Sequence, residues 1–342
     1  MSVAVTGAAT GLGAALLEQL AGREGLTALV GVDGVPGRVD GVAWRCGHEP
    51  LAERLAGVTT VVHLAMSYDV LANPAARSAL NVGGTAALLE AAREAGVRRA
   101  VLVTSGDVHG VHPGSCAPLP EDAPLLAPAD ASLTGDLLEV ERLAGHAGRS
   151  GLDVVVLRPA AMVGARLGAA YDGALVHSLS GTRLLAVRGV EPLWQLCHVD
   201  DLLSALALAA TTPLSGAHAV ASDGWLTQRQ VEELSGRRRL ELPAAVAVST
   251  AERLHRIGAT PGSPHEIDRL LHPLVLDTAR LRAAGWTPAW TSTEALLAHL
   301  ELRAGAGRAG AYAAAGATAA GATVALVGTA ALVRRARARR AR

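Results

Sequence analysis

Eleven residues near the start of the chain leave it few folds to adopt. Val3-Ala4-Val5 is apolar and strand-prone, and it runs through Thr6-Gly7-Ala8-Ala9-Thr10-Gly11-Leu12-Gly13 into a segment with Leu at 12, 16, 17 and 20. A buried strand that turns on glycine into an amphipathic helix is the entrance to a βαβ unit. Gly7 permits the sharp exit from the strand, Gly11 lets the backbone approach a diphosphate, and Gly13 lets the helix lie against the sheet. The helix start then offers unpaired N–H groups and a partial positive charge to an anion. Gly7, Thr10, Gly11, Leu12 and Gly13 are therefore read as the pyrophosphate cradle of a dinucleotide. The next apolar run ends Val30-Gly31-Val32-Asp33, with Asp33 twenty residues beyond Gly13. A carboxylate there accepts hydrogen bonds from the adenosine ribose and repels a 2′-phosphate, so NAD is expected in preference to NADP. Arg38, close by, is the residue that would favour the second cofactor.

Downstream the rhythm repeats. Residues 3–5, 28–32, 61–64, 100–103 and 154–157 are short apolar runs, read as buried parallel strands. Between several of them lie helical periodicities, over 12–20, over 79–95 with Leu80, Leu88 and Leu89, and over 137–147 with Leu137, Leu138, Val140 and Leu143. This alternation predicts an α/β fold, a Rossmann-type doubly wound parallel sheet spanning 1–158. After Arg158-Pro159 the runs shorten, and 159–303 is read as a smaller mixed α/β domain on the substrate side. Within it, Thr227 followed by Gln230 has the form of a capping box. Residues 304–342 read as a Gly/Ala linker, an apolar helix and an arginine-rich tail.

Composition narrows the classes further. Half of the 342 residues are hydrophobic, yet aromatics make up 2% and Phe is absent, so Val, Leu and Ala must fill the core. Lys is absent too, and all 31 basic residues are arginine. A formal net charge of zero argues against a nucleic-acid partner. Cys46, Cys116 and Cys197 are odd in number and far apart, which suits neither a disulfide framework nor a zinc site and points to the cytoplasm. The chain opens on a strand, with no basic and apolar leader pattern. Residues 312–333 carry no charge and are long enough to span a bilayer, but their strongly apolar members are only Val324, Leu326, Val327, Leu332 and Val333. Six arginines follow between 334 and 342. A spanning helix would carry them across the membrane against the positive-inside tendency, whereas a polybasic tail on anionic lipid would not. Attachment to the cytoplasmic membrane surface or bilayer through 312–342 is the expectation.

Several further segments bear on function. They are His63-Leu64-Ala65, Asn81-Val82-Gly83-Gly84-Thr85 at a helix start, Val103-Thr104-Ser105, Arg158-Pro159-Ala160 and His198-Val199-Asp200-Asp201. With the glycine turn, they make residues 1–300 resemble the extended short-chain dehydrogenase/reductases, the NAD-dependent epimerase/dehydratase family. The resemblance implies that Leu64, Ala65, Asn81, Thr104 and Pro159 join the cofactor site. It also implies an oxidoreductase or epimerase acting on a small hydroxyl- or carbonyl-bearing substrate, such as a sugar nucleotide, and a homodimer formed through about 77–95 and 131–147.

The chain departs from the family's pattern at its centre. Ser105 matches the hydroxyl that holds the substrate oxygen, but the Tyr and Lys of the family's Tyr-x-x-x-Lys motif fall at Leu133 and Leu137, counting back from Glu141. Neither side chain can move a proton, and a chain without Lys cannot contain the motif elsewhere. Three readings follow: a NAD-binding sensor or regulator without turnover, an unorthodox enzyme, and an interaction protein with a vestigial site. For the enzyme, the catalytic candidates are Ser105, Asp107 and His109, with Asp136 on the following helix. His198, Asp200 and Asp201 are read as structural, the two Asp capping a helix, so no metal site is expected. Trp194, Trp225, Trp286 and Trp290 are read as core residues, and Arg166 and Arg183 as potential phosphate contacts.

Overall fold

The computed structural model describes residues 1–314 apart from Thr10, His48, Leu71, 113–116, 168–182, 257–270 and 273. The N-terminal half alternates strand and helix. β1 (Ser2–Thr6) leads to α1 (Gly11–Leu20), β2 (Ala28–Asp33), β3 (Ala43–Cys46), α2 (Leu51–Arg54) and β4 (Thr60–His63). Then come α3 (Pro74–Ser78), α4 (Gly84–Glu94), β5 (Arg99–Val103), α5 (Leu133–Arg149) and β6 (Asp153–Pro159). The expected helix over 79–95 is divided: a π-helical turn over Ala79–Gly83 joins α3 to α4. The second half contributes β7 (Ala161–Val163), β8 (Arg183–Val187), β9 (Leu193–Trp194), β10 (Leu196–His198), α6 (Val199–Thr211) and β11 (Gly216–Val220). It ends with β12 (Leu226–Thr227), α7 (Gln228–Ser235), β13 (Arg238–Leu242), α8 (Ala244–Arg256), α9 (Ala279–Ala283) and α10 (Ser292–Ala314).

The described residues build a seven-stranded, all-parallel sheet in the order β11-β6-β5-β4-β1-β2-β3. From β1 the chain winds outward to β2 and β3, then returns to β4 on the other side and winds outward again. β1 and β4 thus flank the switch point at which doubly wound sheets bind ligands, beyond the strands' carboxyl ends. One edge strand, Gly216–Val220, returns to the sheet from the second half of the chain and pairs with β6. The central strands are buried on both faces, so they carry continuous apolar runs rather than alternation.

One large core joins the sheet to α1, α4, α5 and α6, and it is built mostly of Val, Leu and Ala. A smaller cluster around Trp194, Leu196, Leu226 and Leu296 fills the second half. There the expected capping box is present, with Thr227 and Gln230 serving each other's backbone at the start of α7. Trp194 and Trp286 are buried, as expected of core residues, whereas Trp225 is 46% exposed. No helix among the described residues is long and apolar enough to cross a membrane. The tail that prompted the anchor expectation lies, from residue 315 onward, outside the described residues.

Candidate functional site

The first turn is built by exclusion of side chains. Gly7 adopts φ +66°, and a β-carbon on it would stand 2.8 Å from the Leu64 carbonyl and the Ala65 nitrogen. A β-carbon on Gly13 would collide with the Gly7 carbonyl oxygen, and one on Gly11 with the Arg166 carbonyl oxygen. So α1 lies directly on the exit of β1 at Gly13, and at Gly11 the Arg166 backbone lies against the helix start. Leu12 is fully buried in the core, so only its backbone is available there. Thr10, the fifth expected member of the cradle, falls outside the described residues.

Asp33 ends β2 beside this turn. Its Oδ2 accepts the Ala9 N–H at 2.9 Å and its Oδ1 accepts the Gly34 N–H at 2.7 Å. The carboxylate therefore braces the glycine turn and keeps lone pairs for a ribose hydroxyl. Beneath the turn, Thr6 Oγ1 lies 2.7 Å from His63 Nδ1. Burial alone lowers the His63 pKa to about 4, so its ring is neutral, and its Nε2 has no hydrogen-bond partner.

The other expected cofactor residues sit on the same rim, because the parallel register brings the carboxyl ends of β1, β2, β4, β5 and β6 together. Two of them are occupied with the protein itself. Asn81, fully buried, accepts the Ser67 N–H and donates to the Ser67 carbonyl, both at 2.8 Å, which fixes the loop after β4. Thr104, also fully buried, donates from Oγ1 to Glu141 at 2.8 Å.

Ser105 and Asp107 stand partly exposed just after β5. The Ser105 hydroxyl lies 3.2 Å from Asp107 Oδ2 and accepts the Asp107 N–H at 3.1 Å, capping a short 3-10 turn over Gly106–His109. His109, in contrast, turns inward. It is 3% exposed, with Nδ1 at 3.3 Å from the Pro124 carbonyl and Nε2 at 3.4 Å from Arg158. Burial first, and the Arg158 charge second, hold its pKa below the ordinary histidine value. Both ring nitrogens are thus engaged, and the imidazole is held between the loop at Pro124 and Arg158.

The stripe of α5 that faces the sheet carries Leu133, Leu137 and Glu141. Leu137 is 1% exposed inside the main core and Leu133 packs against the same core. Glu141 is engaged as well: Arg158 grips it through Nε at 2.8 Å and Nη2 at 3.0 Å, and Arg158 Nη1 reaches the Glu121 carbonyl. Asp136 forms a buried ion pair with Arg77 at 2.8 Å, and Arg77 also donates to the Ala131 carbonyl. Sequence reasoning missed these two buried ion pairs. Their only signal was charge within segments that otherwise read as core.

His198, rather than either Asp, caps α6: its Nδ1 accepts the Asp200 N–H, and its ring stacks on Trp290 at 3.7 Å. Asp201 is fully buried and ties Ser222 Oγ and the Ala289 N–H to its two oxygens, both at 2.7 Å. Its carboxyl is raised by burial, against those hydrogen bonds. Among the described residues no cluster suits a metal ion. Arg166 pairs with Glu18 on the surface, and Arg183 opens β8.

A model of the NAD dependent epimerase/dehydratase family matches residues 3–221. An uncharacterized protein of Mycobacterium tuberculosis is 31% identical over 311 residues, covering 86% of this chain and 81% of that protein. A 3-diazoavenalumate denitrifying reductase of a Streptomyces species is 33% identical over 148 residues, 42% of this chain and 47% of the reductase. The solved structure of MoeE5 with UDP-glucuronic acid and NAD superposes with a TM-score of 0.64 at 25% identity, over 90% of this chain and all of that one.

Proposed function

The chain belongs to the NAD dependent epimerase/dehydratase family, and on that premise we propose that it binds NAD at the β1–α1 turn while its proton-transfer chemistry is altered or lost. The single observation that carries this reading is the contrast between two sites on one rim. The glycine turn admits no β-carbon at Gly7, Gly11 or Gly13, while of the motif positions on α5 Leu137 is buried in the core and Leu133 packs against it. The residues present fit a dinucleotide: a helix N-terminus at α1, whose dipole favours the diphosphate, Asp33 for the adenosine ribose, and the backbone at Leu64, Ala65 and Pro159 along the crevice. NAD, when bound, supplies hydride transfer at its nicotinamide. This chain's own residues supply no tyrosine and no ammonium on α5.

A reductase reading comes second, favoured by the likeness to the 3-diazoavenalumate denitrifying reductase. On that reading Ser105 orients the reacting oxygen or nitrogen of the substrate, and Asp107, hydrogen-bonded to Ser105, holds or delivers the proton. UDP-glucuronic acid, which MoeE5 binds, represents the nucleotide-sugar class of substrate.

Calorimetric titration with NADH and NADPH tests the first reading. NADH binding that exceeds NADPH binding is expected, and no binding of either at millimolar concentration overturns it. Following NADH absorbance with nucleotide sugars and with aryl diazonium or carbonyl substrates tests the second. Turnover that vanishes in Asp107→Asn supports it, and full turnover in that variant removes Asp107 from the chemistry.

A further inference from the structure

Charge is divided along this chain in a way that its zero net value conceals. All 31 acidic residues precede position 304, whereas seven of the 31 arginines follow it. The body therefore carries a surplus of seven negative charges, and the tail a matching surplus of positive ones. Six of those tail arginines fall within 334–342, beyond the described chain.

The body offers a groove of fitting character where the tail departs. A cleft of ≈ 390 Å³ between α1 and the start of α6 continues past Arg166 and Asp200 into one of ≈ 670 Å³ against α10. Its carboxylates are Glu18, Asp200 and Glu301. Arg166 engages Glu18. The Asp200 side chain is 51% exposed and, among the described residues, pairs only with His198, at 3.4 Å, and Glu301 is exposed. Leu203 and Leu302 supply apolar floor, and Leu302 is 41% exposed. Paired carboxylates above an aliphatic surface suit arginine, whose stem lies on apolar atoms while its guanidinium binds carboxylate oxygens.

We propose that the arginine-rich end of the chain, residues 334–342, docks in this groove of its own molecule. The reach is sufficient. The groove lies roughly 20 Å back along α10 from Ala314, and the 19 residues 315–333 span up to ~60 Å when extended. The ligand class is a guanidinium-bearing peptide, and charge complementarity selects it over an acidic partner. Docking withholds the tail from other anionic surfaces, and rising salt releases it. The inference concerns a face of α1, α6 and α10 and stands whether or not NAD binds at the glycine turn.

Limited trypsin digestion of the full-length protein, followed by intact mass, reads the docking directly. Cleavage within 334–342 is expected to be roughly tenfold slower at low salt than in Asp200→Asn/Glu301→Gln, the effect of about two exposed ion pairs. It should reach the same fast rate in the wild type at 0.5 M salt. Glu301→Arg alone covers the case in which the double variant misfolds, and it too should speed cleavage. Glu90→Gln, a charge change on α4 away from the groove, should not. Equal rates in the wild type and Glu301→Arg overturn the proposal. So does protection that grows with protein concentration, which would place the tail on a second copy. Protection seen only with phosphatidylserine vesicles would assign the tail to lipid and overturn it as well.

Discussion

The β1–α1 turn and helix α5 pack on the same sheet, yet they are built on opposite principles. At the turn, close backbone approach is bought with glycine at three positions, and Asp33 secures the loop through two backbone N–H groups. Along α5 the stripe facing the sheet is filled, with Leu137 buried and Glu141 consumed by Arg158 and Thr104. On the function proposed above, the difference means that binding a dinucleotide and moving protons beside it are separable properties of one fold. The first needs backbone geometry at a strand–helix junction. The second needs particular side chains on a helix, and here the stripe of α5 that faces the sheet presents Leu133 and Leu137.

A charge placed at the buried position 137 of α5 offers the most severe way to break this contrast. Leu137→Lys places an unpaired ammonium in the core, and a loss of about 3–5 kcal/mol is expected in chemical denaturation. A Leu137→Lys protein with wild-type stability would show instead that α5 keeps an open polar slot. Acid probes the other side of the crevice. The unfolded chain takes up a proton on His63 near the ordinary histidine value of about 6.5, while the folded chain resists until about 4. Stability is therefore unaffected by this group above pH 6.5 and falls as pH drops toward 4, by up to about 3 kcal/mol. The slope over that window should flatten in His63→Asn, as measured by urea midpoints at successive pH values.

Smaller effects sharpen the account of the turn. Gly13→Val drives a β-carbon into the Gly7 carbonyl and should cost about 1–3 kcal/mol of stability, with NADH binding lost in calorimetry. Retained binding would mean that α1 can move away from β1 without harm. Asp33→Asn leaves the fold in place and removes one charged acceptor, so NADH affinity should fall by roughly ten- to a hundredfold, as expected for charged hydrogen bonds. NADPH affinity should fall less or rise. Equal losses for both cofactors would take Asp33 out of the discrimination between them.

Much of this molecule was legible in the order of its residues. The apolar runs near 3–5, 28–32, 61–64, 100–103 and 154–157 became β1, β2, β4, β5 and β6 because strands buried on both faces need continuous apolar sequence. Glycine spacing located the turn, since few other local arrangements require residues without a β-carbon at those intervals. A chain without Lys cannot contain a Tyr-x-x-x-Lys motif.

Direction and partnership were decided only in three dimensions. Whether His109 opens to the crevice or turns to Arg158, whether Asp200 or His198 caps α6, and whether Thr104 or Asn81 remains available all depend on contacts between residues distant in the chain. Local sequence sets backbone preference and periodicity, which are short-range. A polar side chain inside the protein instead settles on whichever partner removes the cost of its burial, and that partner is supplied by the packing of other elements.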